Sequence, residues 1–168
     1  MKLTGAAILV PRGTKLLAGG PGSLSFIVSG WEVSMPTLSY RCTDDNGLSF
    51  ELLVDGQPLG ELVGSRDTAF PYWIVEDGLP RWPPHGTADH PEVRIVCVCS
   101  CGEYGCGHTQ CRVTREDDDI VFNEFAFDVT SEGAQKEFRF GAANYNEVCK
   151  EIAANAQRQR ARDTAGRR

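Results

Sequence analysis

From Met35 onward the chain is a succession of short apolar–polar alternations separated by turn residues. In "TLSYRC" (37–42) and "LSFELLVDG" (48–56) apolar positions recur every second residue, the period of a half-buried strand. "TDDNG" between them has turn composition. "ELLVDGQPLGELV" (51–63) predicts a second hairpin, with Asp55-Gly56 at a turn that tolerates positive φ. "EVRIVCVC" (92–99) is apolar on both faces and predicts a central strand. "TQCRVTRE" (109–116) and "DIVFNEFAFDVT" (119–130) predict two strands joined at "EDDD". That acidic tip is a solvated turn, and its spacing matches no calcium loop. One segment changes to helical period: in "AANYNEVCKEIAANAQ" (142–157), Tyr145, Val148, Cys149 and Ile152 share a face, with Asn144 as N-cap. The pattern predicts an α+β domain over residues 35–157. It combines an antiparallel β-sheet, built as a meander of hairpins, with a cysteine-rich knuckle on one hairpin and a C-terminal α-helix. Cys42 and Cys149 read as small buried apolar residues within it.

Three stretches depart from the pattern. Residues 65–91 are dense in proline and aromatics, which predicts ordered loop with a short helical turn near Tyr72 to Val75. Tyr72, Trp73 and Trp82 are expected to lid the core rather than form a binding surface. The end, "RQRARDTAGRR" (158–168), holds five arginines against one acid and reads as a disordered basic tail. Residues 1–34 are glycine-rich with Glu32 as their only acid, and they sustain neither period. Their apolar core, Ala6 to Val10, is too short for a signal peptide and runs into Pro11 and Arg12.

"WEV" immediately upstream of Ser34 and Met35 can be written UGGGAGGUN, a purine-rich ribosome-binding core just before a methionine codon. Residues 1–34 therefore read as over-called upstream sequence, the alternative being a flexible arm.

Composition narrows the function. The 168 residues are 41% hydrophobic and 24% charged, as in a globular protein. No apolar run reaches membrane-spanning length, so no membrane role is expected. The net charge of −6 argues against general nucleic-acid binding, which needs a basic face. A cytoplasmic location is expected, and in that reducing compartment clustered cysteines serve as metal ligands or redox groups more often than as staples.

The chemistry concentrates in "VCVCSCGEYGCGHTQCRV" (96–113). Neighbours two apart on an extended strand are roughly 6.5–7 Å apart, whereas thiolates sharing a zinc bond it at about 2.3 Å. The chain must therefore bend near Ser100 to Gly102, and Gly102, Gly105 and Gly107 permit that. The result is a hairpin with a cysteine-lined tip. The predicted metal ligands are Cys99, Cys101 and Cys106, with His108 or Cys111 as the fourth, and zinc as the tentative cofactor. No CxxC pair is present; the spacings are CxC and Cx4C. A Cys101–Cys106 disulfide is the main rival, ranked behind metal because of the compartment, and iron–sulfur ligation is a third option.

Several enzymes are excluded by missing motifs. "HPE" (90–92) lacks the PCxxC of a zinc deaminase, and there is no redox CxxC on a βαβ unit. There is no nucleophile elbow, phosphate loop or dinucleotide fingerprint. Of three histidines, His85 and His90 read as loop residues.

The succession "LSFELLVDGQPLGELV", "VCSCGEYGCGHTQCRV", "IVFNEFAF" and "FRFGAANYNEV" resembles a group of small actinobacterial proteins, over most of Met35 to about Gln157. Their CxCGxxGC pattern is matched by Cys99, Cys101, Gly102, Gly105 and Cys106; His108 and Cys111 fall outside it. Some members carry an oxidoreductase label. The resemblance implies a shared fold, but neither an activity nor a catalytic residue. The expected function is a non-enzymatic binding or regulatory module with a zinc-stabilised knuckle and a protein partner. The alternatives are a thiol-based redox or metal-responsive switch, and an immunity-type protein that binds a toxin. N-terminal sequencing of the native protein is expected to begin at Met35; a chain beginning at Met1 or Lys2 contradicts the upstream reading.

Overall fold

The structure, a computed structural model, describes residues 35–44, 47–78, 82–84, 86–87, 90–99, 106–127, 131–132 and 135–166. The expectations for residues 1–34, His85 and Cys101 lie outside these. The described residues form the α+β architecture read from the sequence: antiparallel hairpins and a C-terminal helix.

Strands β1 (Leu38–Thr43) and β2 (Ser49–Val54) pair antiparallel, with Leu38 opposite Val54. The chain leaves β2 through Asp55 and Gly56, both at positive φ (50° and 81°). That is the signature of the hairpin turn whose twist matches its strands. The predicted returning strand then stops after β3 (Gln57–Pro58) and becomes helix α1 (Leu59–Val63). Pro58 has no amide hydrogen with which to extend the ladder, and its fixed φ suits a helix start. Leu59 and Val63, four apart, are both buried. A strand not read from the sequence, β4 (Ala69–Pro71), pairs with β2 and completes a four-stranded sheet. Helix α2 (Tyr72–Gly78) follows, longer than the single turn expected. Tyr72 and Trp82, two of the three aromatics expected to lid the core, pack against it, and Trp73 is half-buried.

The second sheet contains β5 (Gly86–Thr87), β6 (Glu92–Val98), β7 (His108–Glu116), β8 (Asp119–Phe127), β9 (Ser131–Glu132) and β10 (Phe138–Gly141). β7 and β8 are joined at the acidic turn, where Asp117 takes φ 53°. Among the described ladders only β5 runs parallel to its neighbour, β7. Among the described ladders β6 pairs with β7 alone, and its Val93 is 61% exposed. Among the described residues it is therefore an edge strand rather than the central strand predicted. Its apolar second half is explained by tertiary cover: β4 runs beside it, and a register shift between Ile95 and Cys97 helps bury Val96, Cys97 and Val98 in succession.

Helix α3 (Ala142–Gly166) buries Tyr145, Val148, Cys149 and Ile152, the face predicted, and adds Ala156. Asn144 is not its cap. It lies in the first turn, where its Oδ1 accepts the Leu38 N–H (2.9 Å) and its Nδ2 donates to the Leu38 carbonyl (2.9 Å). One side chain thus satisfies both backbone groups of a strand residue and ties β1 to the helix. The predicted disordered tail is helical through Gly166. The Tyr72 hydroxyl donates to Asp163, at 2.5 Å, and Arg160 pairs with Glu76, so α2 supports these last turns. Cys42 is a further correction: it is exposed, on the outward-facing second half of β1, while Cys149 is buried as expected. No helix among the described residues is long and apolar enough to cross a membrane.

The core is organised around a charge. Arg94, in the middle of β6, is 1% exposed. Its guanidinium lies over Trp82 (4.5 Å to the ring centroid), Tyr145 (5.7 Å), Phe70 (5.8 Å) and Phe122 (5.9 Å). Nη1 donates to the Tyr145 hydroxyl and to Cys149 Sγ, each at 3.2 Å, while Nε and Nη2 have no hydrogen-bond partner among the described residues. The Trp82 indole in turn donates to the Cys149 carbonyl (2.9 Å). A desolvated cation over an aromatic face gains about 2 kcal/mol, which offsets part of the cost of burying it with no carboxylate beside it among the described residues.

Asn144→Ala removes both bonds to Leu38 and leaves two part-buried backbone groups without that partner. It is expected to destabilise the fold by about 1–3 kcal/mol, measured by urea unfolding; an unchanged midpoint contradicts the assigned tie.

Candidate thiol site

The site begins at the end of α1. Gly64 takes φ 81°, its N–H donates to the Glu61 carbonyl (3.0 Å), and the Ser65 N–H donates to the Gly60 carbonyl (2.9 Å). These are the two bonds of a Schellman ending, which needs a left-handed residue where Gly64 stands. The following loop folds back so closely that a Cβ on Gly60 would lie 2.5 Å from the Asp67 carbonyl oxygen. This return delivers Ser65 to the second sheet. Its Oγ lies 3.2 Å from Cys97 Sγ and 2.9 Å from Thr109 Oγ1, and it accepts the Asp67 N–H at 3.3 Å.

Cys97 and Thr109 face each other across the β6–β7 ladder, with Val98 opposite His108 one rung further. The Cys99 N–H then donates to the Gly107 carbonyl at 2.9 Å, closing the base of the hairpin. A pocket of about 440 Å³ opens here. Loop residues Ser65, Arg66 and Asp67 form one wall, and Cys97, Cys99, Cys106 and His108 contribute from the hairpin. The hairpin's tip, residues 100–105, lies outside the described residues.

The predicted ligands separate within this frame. Cys99, Cys106 and His108 line one pocket. Cys99 is in a disulfide. Cys106 is exposed and carries a free thiol, so the Cys101–Cys106 bond raised from the sequence is not formed. Cys111 is elsewhere. Along β7 the inward positions are Thr109, Cys111 and Val113, so Cys111 lies one step deeper than Thr109, opposite Arg94 and 1% exposed. Among the described residues no group of three or more His, Cys, Asp or Glu side chains stands ready to hold a metal ion.

Burial sets the character of the inner thiols. It pushes the Cys97 thiol up, and hydrogen bonds from Ser65 and Thr109 offset this only in part. It pushes Cys111 up further, against the pull of nearby Arg94. Both are therefore neutral thiols at neutral pH, poor as nucleophiles and as ligands.

Sequence reading missed Ser65 and Thr109. The signal was present: Leu59, Gly60 and Val63 followed by Gly64 is the pattern of a short helix with a glycine stop. A larger cleft, about 590 Å³, lies between α2 and the last turns of α3. Its described lining contains no cysteine or histidine, and its Arg160 and Glu76 are paired with each other. No protein-family model, curated protein or solved structure matches this chain.

Cys97 and Cys111 are held protonated in the folded chain but ionise freely once it unfolds, near pH 8.5–9. Their stabilising contribution is thus complete below that range and declines as pH rises, by up to about 1.4 kcal/mol per pH unit for each thiol. Urea unfolding between neutral pH and pH 10 is expected to show this decline, reduced in Cys111→Val; a flat profile contradicts the assignment.

Proposed function

We propose that this pocket is a thiol-based redox switch within a non-enzymatic regulatory module. The observation that supports it most is the pairing of a disulfide at Cys99 with a free, exposed Cys106 thiol in the same pocket. Thiol–disulfide exchange needs a thiolate, an accessible disulfide sulfur and a leaving thiolate. Cys106 offers the attacking sulfur, which loses its proton to solvent, and Cys99 carries the second. Attack by Cys106 forms one S–S bond and breaks another, releasing a thiolate, with no net gain or loss of electrons. A reducing dithiol instead opens the Cys99 disulfide to two thiols and is itself oxidised.

Cys97 lies beneath this pair, sealed by Ser65 and Thr109. It keeps the exchange confined to the outer sulfurs. A switch is favoured over an oxidoreductase because no cofactor fingerprint is present, and the described sheets contain no βαβ unit with a CxxC. In the reducing cytoplasm expected from the sequence, the disulfide form is the transient one. Its readout is recognition of a protein partner by the surface around the hairpin.

Differential alkylation with mass spectrometry tests this reading. A dithiol under native conditions is expected to free Cys99, and air or diamide to restore its disulfide, with Cys97, Cys111 and Cys149 unlabelled throughout. A Cys99 disulfide that opens only in denaturant, or oxidation that scrambles all the cysteines, contradicts it.

A further inference from the structure

We infer that the pocket recognises a small anionic thiol, delivered as its disulfide, with Arg66 holding the carboxylate and Cys106 forming the mixed disulfide. The inference rests on the switch reading for one point, that Cys106 is a sulfur that exchanges.

Size selects the ligand first. The pocket holds about 440 Å³, within the roughly 300–1,000 Å³ of small-molecule sites. Ser65 and Thr109 close its floor over the buried Cys97, and Phe127 adds apolar lining for methylene carbons. A disulfide of amino-acid to short-peptide size fits this space, and the sulfur it meets there, Cys106, is exposed and free. Charge selects the ligand second. Arg41, Arg112, Arg139 and Arg160 each pair with a glutamate. Arg66 is exposed, lines the pocket and has no ion pair or hydrogen bond among the described residues, whereas the adjacent Asp67 has partners of its own. An unmatched guanidinium offers a planar fork of donors that fits a carboxylate. Its backbone is fixed on both sides: the Ser65 N–H donates to the Gly60 carbonyl, and the Asp67 N–H donates to Ser65 Oγ. A loop already held in place loses less freedom on binding.

The exchange balances with the small disulfide as its only co-reactant. Cys106 loses its proton to solvent, and its sulfur attacks one sulfur of the disulfide. One S–S bond forms as another breaks, and the other half departs as a thiolate. Cys106 is oxidised and the departing half is reduced. A free small thiol reverses the step and restores the Cys106 thiol.

The test treats the native full chain with dithiodipropionate, which carries a carboxylate at each end, and separately with the neutral hydroxyethyl disulfide. Acid quenching and mass spectrometry then read the rate of modification at each cysteine. Cys106 is expected to form a mixed disulfide with both reagents. Arg66→Gln is expected to lower the ratio of anionic to neutral rates at Cys106 by about twofold to fivefold, the range of an exposed ion pair. High salt is expected to lower the same ratio in the unaltered chain, because it screens exposed charges. Cys42, exposed and free but outside the pocket, is the internal control, and its ratio is expected to be the same with and without Arg66. A ratio at Cys106 that ignores Arg66→Gln, or that falls equally at Cys42, overturns the inference while leaving the switch intact. A Cys106 that reacts with neither disulfide in the native chain overturns both.

Discussion

The antiparallel pairing of β6 with β7 is the constraint on which the site depends. Its register places Cys97 opposite Thr109 and ends with the Cys99 N–H bonded to the Gly107 carbonyl. Position along the hairpin then sorts the sulfurs. Cys97 and Cys111 go inward, and Cys99 and Cys106 reach the open end of the hairpin. A slip of one residue would exchange the two faces of either strand, bringing Cys111 out and sending His108 into the core. The register is held at its other end by Arg94, opposite Cys111, whose buried guanidinium engages Phe70, Trp82, Phe122 and Tyr145.

The Schellman ending of α1 connects the first sheet to this hairpin. Gly64 permits the left-handed step, and the close return over Gly60 brings Ser65 onto Cys97 and Thr109. The wall opposite the cysteines is thus built by a segment more than thirty residues upstream, fixed by backbone geometry rather than by the cysteine motif. The cysteines in turn divide into two chemical classes by burial alone. The inner thiols are desolvated and inert, while Cys106 meets solvent beside the Cys99 disulfide.

Much of this architecture was legible in the sequence. Period-two alternation located β1, β2, β7 and β8, and the 3.6 period located the buried face of α3. The failures share a cause: tertiary contacts outweighed local pattern. "LGELV" alternates well enough to pass for a strand, but Pro58 ends the ladder and the chain coils instead. "EVRIVCVC" looked central because it is apolar throughout, yet its cover comes from β4 rather than from a second ladder partner. The arginine-rich end looked like a tail because its sequence has no apolar face; Tyr72 and Glu76 of α2 support it through Asp163 and Arg160. Within the site, glycine and cysteine spacing pointed to the hairpin but could not say which side of β7 Cys111 occupies. The glycine stop at Gly64 marked the turn that carries Ser65, but nothing local relates Ser65 to Cys97.

The central claim is that Cys99 and the outer sulfurs form a reversible redox unit while the inner thiols stay out of reach. It is tested most directly by equilibrating the folded chain in dithiol redox buffers and following the Cys99 disulfide by quenched mass spectrometry. The account predicts one reversible two-electron transition, tenfold in ratio for about 30 mV, with the same midpoint from the reduced and oxidised sides. Hysteresis between the two directions, or a transition that also oxidises Cys97, Cys111 or Cys149, would contradict it.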